Sequence, residues 1–241
     1  MTTISAPFAY VDTTWPVLER MAEAHRRSWE MLAALGEWWT GAERISIAAE
    51  SRRASALVDG LPDPGPGPAE LPEAATFAVH KLIADLPNVT KDWYDEVTTA
   101  DGMTDAHYIE LLGVVVNVWS VDEFHRALSL PLEPLPDPIA GTPGGIRPSG
   151  AKPHGSWPPT VWPDDLDERD LDIYDGEERA ANVRAAMSLH PDSVRWLGDL
   201  FDAHYLSWIE IGGEQEPFRV LTRPQRELVA ARVSALNECF Y

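Results

Sequence analysis

The chain has 241 residues, 44% of them hydrophobic, which is enough to bury a core in one large domain or two small ones. Its 39 acidic residues outnumber 19 basic ones, and the net charge of -20 opposes binding to nucleic acid or to an anionic membrane. The N-terminus shows no signal-peptide pattern, and the apolar run 111–119 is far shorter than the ~20 residues of a membrane span. We expect a soluble, cytoplasmic protein, and its single cysteine excludes an internal disulfide.

Helical periodicity starts near residue 17 and recurs along the chain. Apolar residues spaced three and four apart predict helices over 17–35, 75–83 and 194–208. The segment HYIELLGVVVNVWSVDEFHRAL (107–128) is ambiguous, because valine favours strands, but its length and the spacing of its last apolar residues favour a buried helix. Alternation typical of strands is scarce. The sequence therefore predicts an all-α fold.

Two stretches rich in proline and glycine separate these helices. The first, LPDPGPGPAELP (61–72), is typical of a loop, and the longer stretch 131–165 cannot form a helix or an inner strand, because each proline removes a backbone donor. Tryptophan–proline neighbours at 157–158 and 162–163 suggest that the longer stretch packs against a surface. The acidic run that follows it is interpreted as solvated, since its carboxylates lack calcium-loop spacing.

The chain also contains an internal repeat. AHRRSW (24–29) recurs as AHYLSW (203–208), with four identities in six positions, and we interpret His25 and His204 within it as helix-packing residues. Each copy is followed by a segment that opens with a capping-box pattern, namely Thr40 with Glu43 and Thr222 with Gln225. Alignment on these boxes places Arg44 opposite Arg226, Ile45 opposite Glu227, and Leu57 opposite Cys239. The first copy thus has the pattern of a scaffold, and the second carries ionisable groups.

Glu227 and Cys239 are the candidate catalytic residues. An uninterrupted helix would hold side chains twelve residues apart at a separation of ~18 Å. They can meet only if the chain turns near 234–237, where Asn237 is a suitable helix breaker, and if a new helix starts at the cysteine. A helix N-terminus favours the thiolate, and a nearby glutamate can transfer protons.

The segment LTRPQRELVAARVSALNEC (221–239) resembles the core of the alkylhydroperoxidase D-like and carboxymuconolactone decarboxylase superfamily. In that family a proton-relay glutamate stands twelve positions before the first cysteine of a C-x-x-C motif, and a histidine follows. Glu227 matches the glutamate, Cys239 matches the first cysteine, and Tyr241 falls just before the position of the second. The resemblance covers residues 200–241 specifically and the first half more loosely.

This resemblance implies an all-α helical bundle that assembles into homo-oligomers. It divides the chain into a degenerate domain over 1–130, a linker over 131–170, and the first part of a second domain over 171–241, which ends inside the redox motif. The implied function is reduction of organic hydroperoxides with a dithiol reductant, Cys239 being the resolving thiol. In related selenoproteins the attacking position is selenocysteine, whose UGA codon is normally read as stop. The hypothesis is a chain truncated there and inactive in this form.

Two other functions stay open. A decarboxylase-like lyase uses the same fold, although that branch generally lacks the paired redox residues, and a non-catalytic helical interaction protein is the second alternative. His80, His107 and His125 lack ligand spacing, so neither a metal site nor haem is expected. The glycine pairs do not follow strand patterns, which argues against a phosphate loop. The sequence therefore predicts no cofactor.

Overall fold

A computed structural model describes residues 7–11, 13–178, 180–207, 210, 213 and 218–239. Within them the chain forms α-helices and three short 3₁₀ turns, without a strand, so the predicted all-α fold is confirmed. The helices are α1 (Glu19–Ala33), α2 (Gly41–Asp59), α3 (Glu73–Ala84), α4 (Lys91–Thr99), α5 (Asp105–Ala127), α6 (Asn182–Ala185), α7 (Pro191–His204) and α8 (Arg223–Leu236). None of these described helices is long and apolar enough to cross a membrane.

The predicted capping boxes start their helices as expected. At α2 the Glu43 amide donates to the Thr40 hydroxyl at 3.2 Å, and the Thr40 amide donates to the Glu43 carboxylate at 2.8 Å. At α8 the Thr222 amide donates to the Gln225 side-chain oxygen, also at 2.8 Å. These contacts satisfy amides that a helix start leaves without intrahelical partners. Both copies of the repeat therefore begin their second helix at equivalent residues.

Helix α5 lies at the centre of the bundle and settles the ambiguous valine-rich segment as a buried helix. It packs against α2, α3, α4, α7 and α1. Its buried apolar residues point in several directions rather than along one stripe, as expected of a helix surrounded by others; they include Ile109, Leu111, Val114, Val115, Val118 and Val121. Gly113 permits a close approach of α7, since a Cβ there would lie 2.0 Å from the Ser193 hydroxyl of that helix.

Helix α7 follows the proline-rich stretch in the chain and packs into the same core as the helices that precede the stretch. It packs on α1 and α5, and residues from 8 to 203 belong to the same buried cluster. Trp196, which is 1% exposed, donates its indole N–H to Ser28 of α1 at 2.6 Å. This helix is predicted to reach Trp208, but it ends at His204, and Trp208 lies outside the described residues.

The stretch 131–165 follows the bundle surface, as its tryptophans suggest. The Ile139 amide donates to the Ala33 carbonyl at 2.8 Å, and the Gly145 amide donates to the Glu37 carbonyl at 2.7 Å. Arg147 adds a two-pronged ion pair to Asp105 at the start of α5. These contacts hold the segment against the end of α1, the loop after it and the start of α5. The backbone amides of this segment can make them because they are not used in a helix or sheet of its own.

The two copies of the repeat face each other in the folded chain. His25 of α1 and His204 of α7 lie in direct contact, with 2.6 Å between their Nε2 atoms. His25 is buried, whereas His204 is half-buried and also lines a cavity beside α8. Their hydrogen bonds extend well beyond this pair, as described below.

Candidate functional site

Glu227 lies on the first turns of α8 and is held by two neighbours. The Tyr205 hydroxyl donates to its Oε2 at 2.6 Å, and the Arg223 guanidinium lies 3.4 Å from its Oε1. The Tyr205 hydrogen bond, followed by Arg223, lowers the pKa of this carboxyl. The side chain is 45% exposed. At neutral pH it is therefore a carboxylate that can accept a proton from the solvent-facing side.

Cys239 lies beyond the end of α8 and is exposed. The predicted break is present: α8 ends at Leu236 with Asn237 as its C-terminal cap. The Cys239 amide then donates to the Ser234 carbonyl at 3.0 Å, which keeps the cysteine at the last turn. Residues 240 and 241, where the predicted new helix would continue, lie outside the described residues.

The structure does not bring Glu227 and Cys239 into one pocket. Ser234, whose carbonyl accepts the hydrogen bond from the Cys239 amide, lies seven positions after Glu227 on the unbroken helix, which corresponds to ~10 Å of rise along α8. Each group has its own surroundings, with Tyr205 and Arg223 around the carboxylate and solvent around the thiol. The break at Asn237 thus ends the helix without folding the thiol back onto the carboxylate.

A cavity of about 410 Å³ lies against α8, which lines it with Arg226, Val229 and Ala230 but not with Glu227. Tyr205 connects the two features, because it lines the cavity while its hydroxyl contacts Glu227. Most of the other lining groups are apolar, with one histidine and two arginines; they are Leu18, His204, Phe218, Arg219, Val220, Leu221, Arg226, Val229 and Ala230. A cavity of this size and lining fits a small, largely apolar molecule.

A buried ion cluster adjoins this cavity, because two of its members, Arg219 and Arg226, line the cavity. Glu210 has a fully buried side chain and pairs with Arg226 at 2.7 Å and with Arg219 at 2.9 Å. Burial raises the pKa of Glu210, but the hydrogen bonds from Arg226 and Arg219 outweigh it and hold the pKa at about 2. Arg226 also donates to the Tyr205 carbonyl at 2.8 Å. The cluster therefore fixes Tyr205 and α8 relative to each other.

The first half contains a counterpart of this pair, with different electrostatics. Arg44, which aligns with Arg226, is also buried, and its Nε lies 3.7 Å from Oε1 of the fully buried Glu110 of α5. At this distance the attraction does not overcome desolvation, and burial raises the pKa of Glu110 to about 7. Sequence alignment pairs the two arginines, but it gives no indication that each has a buried glutamate.

Glu110 also belongs to a group of residue types found in hydrolases. His190 Nε2 lies 3.4 Å from the carboxylate, and His190 Nδ1 is hydrogen-bonded to the Ser193 hydroxyl at 2.8 Å. A nucleophile must reach its substrate, however, and Ser193 is 1% exposed and sealed by Gly113. We therefore interpret this group as a buried polar contact between α5 and α7. Sequence reasoning missed it because Glu110 lies far from His190 and Ser193 in the chain.

The chain matches no protein-family model, no curated protein and no solved structure. Among the residues that the structure describes, no group of three or more histidine, cysteine, aspartate or glutamate side chains is placed to hold a metal ion.

Proposed function

We propose that the function of this chain is that of an alkylhydroperoxidase-like thiol or selenol oxidoreductase, an enzyme that reduces organic hydroperoxides. The observation that carries the proposal is Glu227, which stands twelve positions before Cys239 and accepts a hydrogen bond from Tyr205, a residue that lines a largely apolar cavity. Glu227 is the proton-transfer group and Cys239 the resolving thiol. A largely apolar lining favours an alkyl hydroperoxide over hydrogen peroxide.

The reaction needs a second sulfur or selenium atom beside Cys239. Attack of that atom on the hydroperoxide breaks the O–O bond, releases the alcohol and leaves a sulfenic or selenenic acid. The Cys239 thiolate then displaces water and forms a disulfide or selenenylsulfide, which a dithiol reduces back. The 241 residues contain one cysteine, so the proposed cycle needs a second sulfur or selenium atom from outside them.

Addition of one cysteine after Tyr241 tests this proposal. We expect the extended chain to consume one equivalent of cumene hydroperoxide and to lose two thiols as an intramolecular disulfide, because the added thiol would complete the C-x-x-C spacing. The original chain should lose at most one thiol and show no turnover with dithiothreitol. Thiol titration, intact mass and alcohol release are the measurements.

Two matched controls accompany this experiment. An added serine in place of the cysteine, and Cys239→Ser in the extended chain, should each abolish disulfide formation. Glu227→Gln should slow peroxide consumption by about 10²-fold or more, as expected for a lost proton-transfer group. An extended chain that forms no disulfide with the hydroperoxide would refute the oxidoreductase proposal.

Helix α8 supports a second candidate function, that of a helical interaction protein. Val229, Val233 and Leu236 are spaced four and three apart and are 58%, 51% and 64% exposed. Of the four arginines in segment 218–239, Arg219 and Arg226 pair with the buried Glu210 and Arg223 pairs with Glu227, whereas Arg232 is exposed on the same helix, in a chain with a net charge of -20. A second copy of the chain therefore offers an acidic surface that complements this segment. The occupant that we propose for this face of α8 is that second copy.

The association state tests this second candidate. We expect the wild-type chain to sediment as a dimer or larger species at tens of micromolar. Val233→Glu should shift it to the monomer, because a charge would be buried in the contact. Ala231→Glu, on a different face of α8, is the matched control and should leave the association unchanged. A wild-type chain that sediments as a monomer would exclude the interaction proposal.

A further inference from the structure

A continuous, partly buried chain of hydrogen bonds connects parts of the molecule that are distant in sequence. We refer to it as the histidine relay. Its members, in order, are the Ser120 hydroxyl, His204, His25, the Tyr10 hydroxyl, His125 and the Pro131 carbonyl. The successive distances between the bonded atoms are 3.3, 2.6, 2.5, 2.8 and 2.7 Å. The relay joins segment 7–11, α1, α5 and α7.

When the three histidines are uncharged, the Pro131 carbonyl sets the direction of every bond in the relay. A carbonyl only accepts, so His125 must carry its proton on Nδ1, and its neutral Nε2 must accept from the Tyr10 hydroxyl. The Tyr10 oxygen then accepts from Nδ1–H of His25. This leaves Nε2 of His25 as an acceptor, so His204 must donate from its own Nε2.

The last bond completes the assignment without conflict. With its proton on Nε2, neutral His204 has a free lone pair on Nδ1, which accepts from the Ser120 hydroxyl. Every donor therefore has one acceptor when all three histidines are uncharged. The tautomers follow from the geometry: Nδ1–H for His25 and His125, and Nε2–H for His204.

Charging both His25 and His204 is incompatible with this arrangement. The contact between His25 Nε2 and His204 Nε2 has room for one proton, and two would place N–H groups against each other at 2.6 Å. No carboxylate contacts either ring within the described residues. Burial is the main reason that the pKa of His25 lies at about 3 and that of His204 at about 4.

The charged and titratable groups around the relay reinforce its neutral state. Arg26 of α1 lowers the pKa of His25 further, as do His204 and His125. On the α8 side, Arg219 and Arg226 line the same cavity as His204. Glu133 is the nearby acid, but its carboxylate accepts from the Phe8 amide and acts on Tyr10, whose pKa burial already raises. The Phe124 ring stacks on His204 with centroids 5.4 Å apart.

We propose that the histidine relay is an acid-sensitive lock: uncharged, it fastens segment 7–11 and the end of α7 onto α1 and α5, and protonation of His25 and His204 opens it. The lock does not depend on the redox proposal. Because the opened state binds protons that the closed state excludes, the lock loosens progressively as the pH falls below about 6.5, the ordinary pKa of histidine.

Two measurements on the full chain test this lock. The first is ¹⁵N NMR of histidine-labelled wild-type protein at pH 7.5, which should show the δ, δ and ε tautomers for His25, His125 and His204. During acidification neither His25 nor His204 should become cationic before the fold is lost. The second is urea unfolding of wild type, His204→Gln and the exposed-residue control His154→Gln between pH 7.5 and 5.

The glutamine amide can still donate toward His25 but cannot be protonated. Below pH 6.5 the unfolding constant of wild type should therefore rise more steeply than that of His204→Gln, by about tenfold per pH unit, since one excluded proton is removed. His154→Gln should follow wild type. The proposal is overturned by titration of His25 or His204 near pH 6.5 in the folded chain, or by parallel pH profiles for His204→Gln and wild type. The NMR measurement decides the matter even if His204→Gln fails to fold.

Discussion

Replacement of Glu210 by alanine is expected to release helix α8 while the rest of the bundle stays folded. Arg226 is the one buried residue of α8 among those described, and Glu210 is its counter-charge at 2.7 Å. Without that carboxylate the guanidinium would be buried unpaired, at a cost of about 3–5 kcal/mol. Exposing α8 to water removes this cost, since the helix makes few other buried contacts.

Hydrogen exchange measures this release directly. In Glu210→Ala the α8 amides should exchange faster by up to about a thousandfold, approaching the rate of a free peptide, while α2 and α5 amides keep their protection. Glu227→Ala is the control on the same helix. Its carboxylate is half-exposed and pairs with Arg223, so its loss should cost less than about 1 kcal/mol. Equal acceleration in α5 and α8 would show that Glu210 stabilises the whole bundle instead.

Glu110→Gln is expected to remove a large part of the pH dependence of stability between pH 4.5 and 7. The pKa of Glu110 is about 7 in the folded chain, against an ordinary value of 4.5. A carboxyl whose pKa is raised on folding binds its proton more tightly in the folded state. Its contribution is therefore fully present below pH 4.5 and is lost as the pH rises toward 7, a loss of about 3 kcal/mol.

Glutamine resembles the protonated carboxyl and does not titrate, so the variant should lack this loss. Urea unfolding at pH 5 and pH 8 should show the free energy of unfolding falling by about 3 kcal/mol less in Glu110→Gln than in wild type. Glu123→Gln, at the solvent-exposed end of the same helix, is the control and should keep the wild-type profile. A Glu110→Gln profile parallel to wild type would show that this carboxyl is already ionised throughout the range.

The local parts of the structure could be predicted from the sequence. The capping boxes at Thr40 and Thr222 start their helices because the bonds involved span three residues. The valine-rich segment forms α5 because a run of 23 residues is too long for a strand and is apolar on several faces. The end of α8 at Asn237 was also predictable, since asparagine ends a helix through the backbone conformation at its own position.

The candidate site was predictable in its residues but not in its geometry. Spacing identifies Glu227 and Cys239, yet the continuous α8 keeps them apart, and Tyr205, which follows the end of α7, becomes the partner of Glu227 only in the folded chain. The repeat predicts that His25 and His204 are equivalent. Their direct contact could not be predicted, because similarity between two segments does not tell whether they meet.

The sequence by itself determined where α2 and α8 start, where α8 ends, and which arginines and histidines are equivalent, because these properties depend on neighbours within a few positions. Tertiary structure alone decided the charge states. Arg44 and Arg226 align and each meets a buried glutamate, but a separation of 3.7 Å leaves the pKa of Glu110 at about 7, whereas 2.7 Å and a second arginine hold that of Glu210 at about 2. Coulomb attraction and desolvation depend on distances through space, and those distances exist only once the helices have packed.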